Sequence, residues 1–100
     1  MLSDPILALL LIKNINTYHQ KKYLHQLYKT YESIDAANCF EEFVYGCLTG
    51  STIIIYGQYQ GIGPDEISNE VYATLRDFVS TRYNGLVKTI NGFKDENGFN

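Results

Sequence analysis

The chain has 100 residues, of which 45% are hydrophobic and 19% charged, and its formal net charge is −3. This length supports one hydrophobic core, and the abundance of Ile, Leu, Phe and Tyr excludes a wholly disordered chain. Eight basic against eleven acidic residues exclude a general nucleic-acid binder, which needs an excess of Lys and Arg. We therefore expect a single folded domain over residues 1–100.

The first predicted helix begins at Asp4, because Asp is a favourable N-cap and the Pro that follows suits the first helical position. We expect this helix to reach about Asn14. Other elements should enclose it, since the segment 6–12 is apolar nearly all round. Apolar residues at helical spacing predict a second helix from about Thr17 to Ser33. One long bent helix over both segments is the alternative.

Asp35 is the predicted N-cap of a third helix, whose apolar stripe covers 40–51. The next segment, 52–56, reads Thr-Ile-Ile-Ile-Tyr, and β-branched residues favour a strand. A strand needs a partner, however, and no other segment offers one clearly. We therefore expect the helix to continue and to end near Gly57 or Gly61.

A loop is predicted over 57–63, because three glycines punctuate it. Pro64 then begins the clearest amphipathic helix of the chain, with apolar side chains at helical spacing as far as position 83. The Asn84-Gly85 pair should end that helix. The segment beyond it predicts either a short helix or a small hairpin, and 94–100 is expected to be a flexible tail.

These elements predict an all-α fold, a compact bundle of four to five helices. The alternative is an α+β fold with a short strand at 52–56 or a C-terminal hairpin. We expect no membrane association. The apolar run 5–12 is too short to span a bilayer, and the uncharged stretch 43–64 is too polar.

The two cysteines, Cys39 and Cys47, lie about 12 Å apart if they share a helix, which is too far for a disulfide. They also lack metal-ligand spacing. We therefore expect two reduced thiols, which fit a cytoplasmic location. His19 and His25 point to nearly opposite faces of one helix, so they predict no shared metal, and no cofactor motif is present.

Charge is distributed unevenly along the chain. Between Lys29 and Arg76 there is no basic residue, and seven carboxylates occupy that stretch. Tyr side chains offer contact area with a polar tip, which suits protein interfaces. We therefore expect this acidic stretch to form a docking face for a basic partner, on which its carboxylates come together in space. A solvated acidic face is the alternative, because charge runs usually only solubilise. The predicted partner-binding residues are Glu41, Glu42, Tyr45, Asp65, Glu66, Glu70 and Tyr72.

In size, negative charge and Tyr content, the chain is similar to small acidic bacterial immunity proteins and phage-encoded inhibitors, which cap a basic toxin or enzyme. This similarity implies a non-enzymatic inhibitor of immunity or antitoxin type, with a basic protein partner such as a nuclease toxin. It transfers no individual site residue. Two alternatives remain: a regulatory or scaffold domain that forms a homodimer through an apolar face, and a small-molecule sensor or enzyme with a pocket in its helical core.

Overall fold

Helices account for all regular structure in residues 3–34 and 39–98, which are the residues that the computed structural model describes. This confirms the predicted all-α bundle of four to five helices, since four α-helices are formed in these residues. Neither the strand nor the hairpin of the alternative is formed in them. Asp35, the predicted N-cap of the third helix, lies outside the described residues. In chain order, the elements are α1 (Pro5–Tyr18), α2 (Lys21–Glu32), α3 (Phe40–Gln60), one turn of 3-10 helix (Pro64–Glu66) and α4 (Asn69–Asn97).

The first helix starts where its sequence predicts. The Asp4 carboxylate accepts the backbone N–H groups of Ile6 at 3.0 Å and Leu7 at 3.3 Å. These donors have no partner inside the helix, so the cap stabilises the first turn.

The predicted end of the first helix at Asn14 is wrong. α1 continues to Tyr18, and the break falls at His19 and Gln20. Asn14 donates a hydrogen bond to Ser51 Oγ of α3 at 2.8 Å, and Tyr18 is buried. These contacts with α3 outweigh the weak helix propensity of Asn, which is only a fraction of a kcal/mol.

The ambiguous segment 52–56 is helical, as expected, and lies within α3. Thr52 is fully buried there, and its hydroxyl donates to the Leu48 carbonyl at 2.8 Å. The helix ends at Gly61, whose φ of 71° is the left-handed conformation that favours glycine. The predicted loop over 57–63 is therefore wrong in its first half, because residues 57–60 belong to the helix.

Pro64 does not begin the long last helix. It begins the separate 3-10 turn, and α4 starts after Ser68, whose hydroxyl oxygen accepts the N–H of Val71 at 3.3 Å. The Asn84-Gly85 pair also fails to end α4. The helix continues to Asn97 and is capped by Gly98, whose φ is 67°.

Burial explains why α4 continues through Gly85. Val79 precedes that glycine and Leu86 and Ile90 follow it, and none of these three side chains is exposed. Their packing outweighs the roughly 1 kcal/mol that a glycine costs inside a helix. Residues 94–97, which lie within the segment predicted to be a flexible tail, form the last turn of α4.

α3 is the central helix of the bundle. It runs antiparallel to α1, because Tyr59 near its end contacts Asp4 and Ser51 contacts Asn14. It also runs antiparallel to α4, since Glu41 in its first turn contacts Lys94. The buried hydrophobic core comprises Leu7, Leu11, Ile15, Tyr18, Leu24, Phe40, Val44, Leu48, Leu75, Phe78, Val79, Leu86, Ile90 and Phe93.

Candidate functional site

The predicted partner-binding residues at the start of α3 are largely committed to contacts within the protein. Glu41 pairs with Lys94 at 2.7 Å, and its backbone carbonyl accepts the Tyr83 hydroxyl at 2.6 Å. The hydrogen bond from Lys94 lowers the pKa of the Glu41 carboxyl. The Tyr45 ring packs edge-on against Tyr83 with centroids 4.7 Å apart. Glu42 remains exposed.

The second predicted group lies at the 3-10 turn and the start of α4. Asp65, Glu66 and Glu70 are exposed, and we refer to these three residues as the acidic end. Glu66 folds back and accepts the Gly63 N–H at 2.9 Å. The Tyr72 hydroxyl donates to a backbone carbonyl in the 3-10 turn at 2.8 Å, which leaves its ring half-buried.

The structure does not bring the two acidic groups together. Glu41 contacts Lys94 at the end of α4, whereas Glu70 is in the first turn of that helix. At a rise of about 1.5 Å per residue, these two positions of α4 are about 36 Å apart along its axis. The single acidic docking face predicted from the sequence is therefore not formed.

A different surface is left uncovered on α1. Ile6 is 60% exposed, Leu9 67% and Leu10 40%. The buried residues of this helix, including Leu7 and Leu11, lie on its opposite side. The prediction that other elements enclose α1 is therefore wrong, because its apolar sequence covers both the core side and the solvent side.

The neighbouring part of α3 continues this exposed surface. Ile54 is 55% exposed and Tyr59 37%, while Ile55 between them is half-buried. The two helices are antiparallel neighbours, and Ile55 and Tyr59 line a common groove with Leu10 of α1. We define the apolar face by six residues: Ile6, Leu9 and Leu10 on α1, and Ile54, Ile55 and Tyr59 on α3.

A groove of about 510 Å³ lies between α1 and α3 within this face. Ile6 and Leu9 are each one helical turn before a lining residue of α1, and Ile54 is one turn before a lining residue of α3, so these three border the groove. The lining residues are Leu10, Lys13, Asn14, Thr17, Ile55, Gln58 and Tyr59.

Polar contacts fix the shape of the groove. At one end, the Tyr59 hydroxyl donates to Asp4 Oδ2 at 2.7 Å and joins the two helices. This hydrogen bond lowers the pKa of the Asp4 carboxyl. Asn14 donates to Ser51 across the helix pair at 2.8 Å. Within the described residues, the Lys13 ammonium has no side-chain partner, so it is available to a bound molecule.

Comparison with protein-family models, with curated proteins and with solved structures finds no match for this chain. Function therefore has to be inferred from the geometry of the chain itself.

Among the described residues, no three His, Cys, Asp or Glu side chains come close enough together to hold a metal ion. None of the helices in the described ranges combines the length and the apolar character needed to cross a membrane.

The sequence contained a signal for the apolar face that composition alone did not reveal. Ile6 to Ile12 is apolar on all sides, yet a helix at the edge of a small bundle can bury only one side. The surplus apolar side therefore has to face solvent or a partner.

Both cysteines are free thiols, as predicted, and they lie outside this face.

Proposed function

We propose that this chain is a non-catalytic protein-binding domain and that the apolar face is the surface on which its partner docks. The observation that carries this proposal is the exposure of Ile6, Leu9 and Ile54, which are each more than half exposed. Each of them lies one helical turn before a residue that lines the same groove. Single exposed hydrophobic residues are ordinary, whereas contiguous exposed patches mark interaction sites.

The chemistry of the groove supports docking. Its described lining consists of aliphatic, amide, hydroxyl and ammonium side chains and one Tyr, which provide contact area and hydrogen bonds. Protein interfaces combine apolar contact area with a limited number of hydrogen-bonding groups. Leu9 and Tyr59 can each bury a large apolar area on binding at a low cost in side-chain entropy.

The acidic end supports a second candidate function, the immunity- or antitoxin-type inhibitor. Asp65 and Glu70 are exposed, and the 3-10 turn that carries Asp65 follows closely after the end of α3, where Tyr59 contacts Asp4. A basic partner could therefore cover the apolar face and extend to these carboxylates. Such a complex would associate more slowly as the salt concentration rises.

In-cell photo-crosslinking tests the docking surface with any protein partner that the cell contains. A photoreactive benzoylphenylalanine would replace Leu9 in one variant and Ile34 in a control. Ile34 is also exposed, at 41%. It follows α2, whose last turn packs against the start of α3 through Tyr31 and Phe43, so it lies far from the groove.

We expect the probe at Leu9 to form a discrete covalent adduct with a protein and the probe at Ile34 to form none of that mass. Adding Leu10→Glu to the Leu9 probe variant should abolish the adduct, since a carboxylate in the groove opposes burial of an apolar partner. Equal crosslinking from positions 9 and 34 would contradict the proposal.

A further inference from the structure

We infer that a second copy of this chain docks on the apolar face, with the two α1 helices antiparallel about a two-fold axis close to Leu9. This inference rests on the proposed function, because it names the partner for the same surface. It follows from two observations: the shape of the face and the order of charges along α1.

The apolar face contains both halves of an interlocking contact. Ile6 and Leu9 form an exposed ridge on α1, and the groove between Leu10 and Ile55 lies directly beside it. A two-fold axis between ridge and groove places the ridge of each copy in the groove of the other. Such an isologous contact uses one surface twice and closes after two copies.

The charges on α1 are self-complementary in the same arrangement. Asp4 precedes the exposed apolar residues and Lys13 follows them, at nearly equal distances from Leu9 in the sequence. When two α1 helices pair antiparallel about Leu9, Lys13 of each copy comes next to Asp4 of the other. Lys13 has no side-chain partner within the described part of one chain, so the second copy supplies one.

The size of the surface limits the strength of this dimer. α1 is about 21 Å long, and two packed helices are about 20 Å wide, so the whole α1–α3 side of one copy, with the apolar face within it, has a projected area of roughly 400 Å². A standard stable interface covers about 800 Å² of each partner. We therefore expect a weak, reversible dimer with a Kd between about 10 µM and 1 mM.

Sedimentation velocity on the purified full chain, from about 10 µM to 1 mM, tests this inference over the expected range of Kd. The wild type should shift from monomer toward dimer as concentration rises. Leu9→Glu should weaken the dimer at least about tenfold, because it places two carboxylates near the axis. Ile34→Glu, which adds the same charge elsewhere, should dimerise like the wild type. A wild-type chain that stays monomeric throughout would overturn the inference.

Disulfide trapping tests the two-fold arrangement itself. In a background that carries Cys39→Ala and Cys47→Ala, Leu9→Cys should form a disulfide-linked dimer under mild oxidation, since a residue near a two-fold axis meets its own copy. Ile34→Cys should remain a monomer. Equal trapping from both positions would overturn the arrangement.

The crosslinking and sedimentation results together separate the two proposals. An adduct from position 9 with the mass of two chains supports both. An adduct with a different protein, combined with a monomeric wild type, overturns the dimer and leaves the docking surface standing. The absence of a specific adduct from position 9 overturns the docking surface.

Discussion

Glu41 and Lys94 form a 2.7 Å ion pair that joins the first turn of α3 to the last turn of α4. Their side chains are only 24% and 18% exposed, respectively. The carboxylate also lies near the positive end of its helix dipole and the ammonium near the negative end of its own. This pair fixes the end of the molecule opposite the groove.

Replacing Lys94 tests the contribution of this pair. Lys94→Met should lower the free energy of unfolding by about 1–2 kcal/mol, because it removes a charge-assisted hydrogen bond from a partly buried carboxylate. Lys21→Met is the matched control, since Lys21 pairs with Glu96 at 2.7 Å but is 66% exposed. The control should change stability by less than about 0.5 kcal/mol. Equal effects in urea denaturation would contradict this account.

The same pair predicts a dependence of stability on acid pH. The hydrogen bond from Lys94 holds the pKa of Glu41 below its ordinary value of 4.5. A carboxyl group with a lowered folded-state pKa stabilises the fold above its ordinary value, and this stability is lost as the pH falls through the folded-state pKa. Urea denaturation from pH 6 to pH 3 should therefore show a smaller decline for Lys94→Met than for the wild type.

Two glycine substitutions test whether α4 continues through Gly85 and how the chain packs at the end of α3. Gly85 lies inside α4, and a Cβ there would meet no neighbour within 4 Å. Gly85→Ala should stabilise the protein by about 0.5–1 kcal/mol, because alanine is the better helix former. A helix that ended at this glycine in the left-handed conformation would make the same change destabilising. Thermal denaturation followed by circular dichroism distinguishes these outcomes.

Gly57 is the opposite case and serves as the matched comparison. A Cβ at this position would lie 2.9 Å from the carbonyl oxygen of Ile62. That contact is closer than van der Waals distance, so the backbone around the end of α3 would have to move. Gly57→Ala should lower the free energy of unfolding by about 1–3 kcal/mol. A gain in stability would show that the Ile62 carbonyl does not lie against this glycine.

The raised pKa of Tyr83 leads to a predicted loss of folding stability at alkaline pH. Burial raises the pKa of its hydroxyl from 10.0 to about 12. The unfolded chain therefore releases this proton at lower pH than the folded chain, so stability is complete below pH 10 and declines as the pH rises toward 12. Tyr83→Phe should cost about 1 kcal/mol at pH 7 through loss of its hydrogen bond. It should also flatten the alkaline decline, as urea denaturation at several pH values would show.

The acidic end should not affect the fold or the proposed dimer. Glu70 is exposed and far along α4 from the ion pair of Glu41. Glu70→Lys should therefore change the free energy of unfolding by less than about 0.5 kcal/mol. If a basic protein is the partner, this variant should bind it more slowly, and most clearly at low salt. An unchanged association rate at low salt would contradict the inhibitor candidate.

Local signals in the sequence predicted the helices better than their ends. The Asp4 cap and the helical character of 52–56 follow from capping chemistry and from the lack of a partner strand. The continuation through Asn14 and Gly85 depends on contacts with distant residues, such as Ser51 for Asn14. The sequence around Asn14 or Gly85 does not reveal those contacts. These weak helix formers therefore predicted helix ends, whereas packing keeps both helices continuous.

The docking surface was harder to predict than the fold, for a related reason. Glu41 and Glu70 belong to the same acidic stretch of sequence, but the antiparallel order of α3 and α4 places them at opposite ends of the bundle. Conversely, Leu10 and Ile55 are far apart in sequence, and the packing of α1 on α3 places them in the lining of one groove. Exposed apolar residues also resemble core residues in sequence, because periodicity shows a face without showing what covers it.

Heteronuclear NMR during dilution measures the central claim most directly. Amide spectra of the labelled wild type would be recorded from about 1 mM to about 20 µM, which spans the expected Kd. We predict concentration-dependent shifts confined to α1 and the end of α3, with Leu10, Lys13 and Ile55 among the largest, and constant signals for Ile34 and Glu70. Signals that stay constant throughout, or that move at the acidic end instead, would contradict the account.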